Sequence, residues 1–159
     1  MKKSIVTIKP CKKVITFDTY KKPKGWLLEV VSGSDKFTKH LRGQVYLSVL
    51  NPKILMDYHL HAQADYFVTC LKGKVVEVIY KNRKEKQEVE MGDEDFKTVF
   101  LPKGHPHTIK NIGKEPAYML IYRYPAWDPK IKEQLDISPE DIETEAAWKK
   151  IREFIKKLN

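Results

Sequence analysis

Cysteine is scarce in this chain. Cys11 and Cys70 are too few and too far apart for a disulfide framework and form no CxxC pair, so a reducing cytosol is the expected setting. Long apolar runs are also missing, and without a stretch of about 20 such residues no membrane span is expected. The Lys-rich start, Met1-Lys2-Lys3, runs into Ser4 to Lys9, too short and too polar for a signal peptide, which again points to the cytoplasm. No internal repeat, low-complexity linker or domain boundary interrupts the 159 residues. One domain over 1–159 is expected, long enough to bury a core without disulfides.

Positive charge, by contrast, is abundant. A formal net charge of +9 raises the question of nucleic acid, because a basic surface attracts phosphate without specificity. The lysines, however, are spread through every loop and the last helical stretch, interleaved with Glu and Asp, and no RNA-binding motif or stacking platform accompanies them. Nucleic acid and membrane are therefore not expected partners, and the charge reads as a solvated surface able to attract an anionic small ligand. The bias towards Lys, Glu and Ile with few Gln also fits a heat-adapted source.

Short alternating segments separated by turn residues fill most of the chain. Ser4–Ile8, Lys13–Phe17, Trp26–Val31, Gly43–Leu50, Ile54–His61, Tyr66–Leu71, Val75–Tyr80, Phe96–Leu101, His107–Asn111 and Ala117–Tyr124 read as strands, and Lys81–Glu90 as a solvent-exposed charged loop. Such spacing predicts an all-β sandwich or barrel, with a core over about 14–130. The tail, about 138–158, differs. Ser138-Pro139 reads as one helix start and Thr144 as the cap of a second helix, on which Trp148, Ile151, Phe154, Ile155 and Leu158 share one face. That stripe is expected to pack on the barrel or on a second subunit.

The chemistry gathers at Tyr58-His59-Leu60-His61-Ala62-Gln63-Ala64-Asp65-Tyr66. Side chains two apart on a strand point the same way, so His59 and His61 converge. Asp65 follows four residues later, and His107 stands behind the rigid Pro102-Lys103-Gly104 turn. Imidazole is both the commonest transition-metal ligand and the commonest base near neutral pH. His59, His61, Asp65 and His107 would make an N3O set for Zn, Fe, Mn, Ni or Cu, and without metal the same residues could hold a proton-abstracting base. His40 reads as exposed, His105 as a rim residue and Cys70 as a small buried hydrophobe. Tyr118, Tyr122 and Tyr124 share one face of the last strand and either line the pocket or fill the barrel.

These residues carry a family resemblance. Pro102-x-Gly104-x-x-His107-x-x-x-Asn111 resembles the second cupin motif, and His59-x-His61-x-x-x-Asp65 with Gly73 beyond resembles the first, with Asp where the pattern usually has Glu. The chain looks closest to the RmlC-like branch, the dTDP-4-dehydrorhamnose 3,5-epimerases and their relatives, over about residues 14 to 130. Gly25-Trp26-Leu27-Leu28-Glu29, Gly43-Gln44-Val45-Tyr46, Tyr58 to His61, Asp65-Tyr66-Phe67 and Asn111 to Ala117 fall in that branch's order.

The resemblance implies a cupin double-stranded β-helix, a jelly-roll barrel, with the C-terminal amphipathic helix added. It also implies a homodimer and a ligand site inside the barrel mouth. Within an epimerase, His59 would be the base and His107 the second pocket histidine. Tyr66 stands where a lysine should steady the enolate, Trp127 where an acid tyrosine is expected, and Met56 where an arginine precedes the base. Losing a fixed charge at the oxyanion removes several kcal/mol of transition-state stabilisation. Tyr122 or Tyr124 could replace the acid, and Trp127 could stack on a sugar; with Gln63 they complete the expected substrate contacts.

Three readings follow. The one favoured by the overall resemblance is a metal-free enzyme isomerising or epimerising a keto sugar or nucleotide-linked sugar, with His59 as base and no cofactor required. Another is a transition-metal cupin enzyme. The third is a non-catalytic carbohydrate-binding cupin.

Overall fold

The computed structural model describes residues 12–32, 42–93 and 95–158 of the chain. The strand expected over Ser4–Ile8 and the residue His40 lie outside them. Among the described residues eleven strands and one helix are formed: β1 (Lys12–Phe17), β2 (Pro23–Ser32), β3 (Gln44–Leu50), β4 (Tyr58–His61), β5 (Asp65–Lys72), β6 (Lys74–Asn82), β7 (Glu85–Gly92), β8 (Thr98–Leu101), β9 (His107–Asn111), β10 (Ala117–Tyr124), β11 (Gln134–Ile137) and α1 (Glu145–Leu158).

The strands make two antiparallel sheets, in the orders β1-β2-β3-β10-β5-β8 and β11-β4-β9-β6-β7. Alternation along each strand sends one set of side chains between the sheets. Tyr66, Val68 and Cys70 of β5, Val75 of β6, Met91 of β7, Leu101 of β8, Ile109 of β9 and Met119 of β10 form that inner core. This is the all-β barrel expected from the strand pattern, in the jelly-roll form that the family resemblance implies.

A second core lies on the outer side of the five-stranded sheet. Tyr58 and Leu60 of β4, Val78 and Tyr80 of β6 and Ile137 of β11 meet Ala147, Trp148 and Ile151 of α1, with Phe154, Ile155 and Leu158 packed at the edge. The apolar stripe of the tail therefore packs on its own barrel. Thr144 starts the helix, its Oγ1 accepting the Ala147 N–H at 3.2 Å, and Trp148 Nε1 donates to the Ile142 carbonyl at 2.7 Å.

Three expectations need correction. Lys81–Glu90 is not a loop: β6 runs on to Asn82, and β7 pairs with it from Glu85 to Gly92. Most of β7 is exposed at a sheet edge, so it carries charge where a buried strand would alternate. Ser138–Asp141 forms turns, and only one helix is made, from Glu145. Of the strand expected over Ile54–His61, only Tyr58–His61 is laddered, with Leu55 making an isolated bridge to Lys110. Asn111 shows why the turns hold: its buried Nδ2 donates to the carbonyls of Leu50 and Glu115, and its Oδ1 accepts from Gly113 N–H.

Candidate active site and metal centre

The two histidine-bearing strands meet inside the barrel. His59 on β4 lies opposite His107 on β9, and His61 follows on the same inner side. The turn that brings β9 in is closed by Gly104, which has φ of 79° and donates its N–H to the His61 carbonyl at 2.7 Å. A left-handed residue at that point is natural for glycine and costly for most others. Ligating nitrogens of His59, His61 and His107 lie within 4.8 Å of one another.

Each imidazole is also held from behind. His59 Nδ1 meets the Asp57 carbonyl at 3.0 Å, His107 Nδ1 the His105 carbonyl at 3.0 Å, and His61 Nδ1 the Glu133 carboxylate at 2.9 Å. An oxygen acceptor at Nδ1 fixes the proton there and leaves Nε2 with a free lone pair. Burial, reinforced by His61, brings His59 down to about 4, and burial with His59 beside it holds His107 well below its ordinary value. Both are neutral at physiological pH, the form in which imidazole binds metal.

Behind the histidines stands a buried polar chain that the sequence reading missed. Arg123, 3% exposed, donates from Nε to the Tyr66 hydroxyl at 2.7 Å, from Nη1 to the Pro125 carbonyl at 2.7 Å, and from Nη2 to Glu133 Oε1. The Tyr66 ring stacks on His61 with centroids 4.3 Å apart. Burial, with Tyr46 alongside, pushes the Tyr66 hydroxyl far up, so it stays protonated. Burial alone would raise Glu133 as well, but His61 and Arg123 outweigh it and hold that carboxyl below its usual range. One signal for Arg123 was available. A single cation near the end of β10, two residues after Ile121 and four after Met119, falls on the inner face. Glu133, on the segment before β11, follows no pattern.

The cavity in front of these groups has a volume of about 430 Å³, within the range of small-molecule sites. Its inner wall is Val68, Leu101, Ile109, Met119 and Ile121, with Glu77 among them, and Asp18, Thr19, Lys24, Asp57, Gln134 and Asp136 also line it. Among the described residues lining it, the charged groups other than histidine are Asp18, Asp57, Glu77 and Asp136 against Lys24 alone, despite the chain's net +9.

His59, His61, His107 and Tyr66 are thus brought together, and other expected site residues are not. Asp65 precedes the inward Tyr66, so alternation turns it away; its Oδ1 instead accepts the Lys103 N–H at 2.9 Å and braces the Pro-Gly turn. Gln63 points to the helix, where its Nε2 donates to the Leu158 carbonyl at 3.0 Å. Tyr122, Tyr124 and Trp127 are exposed and line no part of the cavity. On β10 the inner positions belong to Met119, Ile121 and Arg123, which leaves the tyrosines on the outer side. Tyr122 there faces Phe67, whose neighbour is Phe100.

A family model described as Cupin matches residues 16–123. The chain belongs to the cupin family. Among solved structures this cupin is similar to CapF, the capsular polysaccharide assembling protein from Staphylococcus aureus, at 20% identity and a TM-score of 0.66, over 80% of this chain and 34% of that one. It is also similar to oxalate decarboxylase from Bacillus subtilis, at 14% identity and a TM-score of 0.58, over 83% of this chain and 33% of that one. Vicilin from tomato matches at 13% and 0.58, over 78% and 32%. Likenesses at these identities describe the fold alone, and this cupin spans about a third of the length of each. No curated protein sequence matches it.

The donor set fits a divalent transition metal. Three imidazoles with their Nδ1 atoms engaged present nitrogen ligands in a buried cleft, and the buried carboxylate of Glu77 in the same cavity has an oxygen without a partner.

Proposed function

We propose that this cupin is an enzyme that holds a divalent transition metal on His59, His61 and His107 and acts on a small, oxygen-bearing ligand in the barrel cavity. The observation that carries this reading is the engagement of all three Nδ1 atoms by oxygen acceptors, with the ligating nitrogens gathered within 4.8 Å. A metal bound there would polarise a carbonyl or hydroxyl oxygen of the ligand. The chain's own groups do the rest. Glu133 and Arg123 fix the orientation of His61 and Tyr66; Tyr66 and Tyr46 offer hydroxyls on the inner wall; Val68, Leu101 and Met119 exclude water. A predominantly acidic lining favours an uncharged ligand over a nucleotide diphosphate. Elemental analysis of the purified protein, before and after incubation with Zn²⁺, should give about one metal per chain, and His61→Ala should lose it. A protein that stays metal-free in both states contradicts the proposal.

The second reading, a metal-free keto-sugar isomerase or epimerase, is supported by Arg123. With Tyr66 standing where the family lysine is expected, the Arg123–Tyr66 pair would supply a donor backed by a fixed positive charge. His59 is then the base and His107 its pocket partner. Deuterium uptake from solvent into a dTDP-4-keto-6-deoxy sugar, abolished in His59→Ala, is the expected result; binding without exchange would leave the carbohydrate-binding reading. The homodimer implied by the family resemblance is proposed to use the outer face of the six-stranded sheet, around Phe67, Phe100, Leu120 and Tyr122. Light scattering should report a dimer for the native chain and a monomer for Phe67→Glu.

A further inference from the structure

Glu77 sits where a carboxyl is hardest to accommodate. It lies on β6, between β9 and β7, is 2% exposed, and its Oε1 is, among the described residues, the buried side-chain polar atom that finds no hydrogen-bond partner. Burying such a group without a partner opposes folding. Its neighbours on the inner face do not help. Val75 and Ile79 flank it along β6, Ile109 lies opposite it on β9 and Val89 opposite it on β7. The fold gains no ion pair or network from it.

Its position relative to the histidines gives it a use. Because Glu77 is in register with Ile109, it shares the inner face with His107, one diagonal step away, about 7 Å between backbones. Both line the same cavity, together with His59 and His61. Every other carboxylate near the histidines is already engaged. Glu133 is bound to His61 and Arg123, Asp65 to the Lys103 N–H, Asp57 to Lys24 and the Thr19 N–H, and Asp136 accepts from Gln134. Three imidazoles bind a dication as neutral ligands and contribute no charge.

We infer that Glu77 is the electrostatic partner of the metal: an unpaired carboxylate deep in the barrel that supplies the negative charge the three histidines lack, without joining them as a direct ligand. Its carboxylate is not one of the group whose ligating atoms lie within 4.8 Å, so it acts across the cavity. The role is that of a positioning residue, and the inference rests on the metal reading above. It also accounts for a destabilising feature of the fold: the energetic penalty of the buried Glu77 carboxyl would be relieved by a cation in the same cavity.

The experiment is a calorimetric or competition titration of Zn²⁺ into metal-free native protein, Glu77→Gln and Glu77→Met, with thermal unfolding of each in chelator. Glu77→Gln keeps shape and hydrogen-bonding capacity without the charge; Glu77→Met fills the site with an apolar chain. Both variants should bind Zn²⁺ about 10 to 100 times more weakly, the usual effect of losing a group that supports a metal from outside its ligands. Both should unfold at the same or a higher temperature than the native protein when metal is absent. Native-like Zn²⁺ affinity in the two variants overturns the inference while leaving the three-histidine site intact. Unfolding of both in chelator would show that Glu77 has a structural partner, and overturns it too. Absence of Zn²⁺ binding by the native protein overturns the metal reading itself, a result distinguishable from the other two.

Discussion

Among the described residues two carboxylates are buried, Glu133 and Glu77, and the fold treats them in opposite ways. Glu133, 5% exposed, is surrounded by donors: Arg123, the His61 ring and the Gln63 N–H. Glu77, 2% exposed, has the apolar Val75, Ile79, Ile109 and Val89 beside it on the sheet and no donor among them. One carboxyl is held below its usual range by His61 and Arg123 against the effect of burial, while the other is raised well above it by burial alone. Burial by itself does not decide whether a charge stabilises a structure; the partners do. Glu133 belongs to the frame that aims His61, whereas Glu77 faces the space a ligand would occupy.

Breaking the frame should have the largest effect. Glu133→Leu leaves the Arg123 guanidinium buried and uncompensated, and should lower stability by about 3–5 kcal/mol in a urea titration. Adding Arg123→Met to that variant should restore much of the loss, because the stranded charge is then gone. A double variant as unstable as the sum of the singles would show that the two groups are independent, against the contacts described.

The pH dependence of stability sharpens the contrast and comes next in size. Glu133 has a folded-state value below its unfolded one, so its stabilisation is present above about pH 4.5 and is lost as pH falls through the folded value. Glu77 has a folded value above its unfolded one, so its contribution is complete below about pH 4.5 and is lost as pH rises towards the folded value. In chelator, Glu77→Gln should therefore gain on the native protein between pH 5 and pH 8, measured as the difference in unfolding free energy at the two values. Parallel curves for the two proteins would show that Glu77 does not remain protonated in the fold.

The smallest change is expected at the carboxylate outside the cavity. Asp65→Ala removes one hydrogen bond to the Pro-Gly turn and should lower stability by about 1 kcal/mol, with Zn²⁺ content unchanged. A loss of metal comparable to that in His61→Ala would return Asp65 to the ligand set.

Much of this was legible in the sequence, for reasons that also explain what was not. His59 and His61 stand two apart, and two-residue periodicity is a local property that survives into the fold. His107 was visible because Pro102 and Gly104 mark a turn chemically. Asp65 misled because spacing in sequence was read without alternation: it is adjacent to Tyr66, and only one of two neighbours can face inward. The same alternation sent Tyr122 and Tyr124 out and Arg123 in. β7 escaped because edge strands are kept soluble by charge. Glu133 could not have been found by pattern, since its contact with His61 spans 72 residues and runs through a segment with no periodicity. Glu77 was hidden in a strand that is otherwise apolar on both faces from Val75 to Tyr80, and its meaning appears only when its lack of a partner can be seen.

The ladder that joins the two histidine strands is thin. β4 and β9 share a single register pair, His59 opposite His107, whereas β6 and β9 are paired from Val75 opposite Asn111 to Ile79 opposite His107. The pairing resumes only as isolated bonds, Met56 N–H to the Ile109 carbonyl and Asn111 N–H to the Ile54 carbonyl. The seam through the site is thus expected to open before the fully paired parts of the barrel. Amides along it should exchange with deuterium sooner than those between β6 and β7, and a cation bridging His59 and His61 to His107 would act as a clasp across that seam, slowing the exchange.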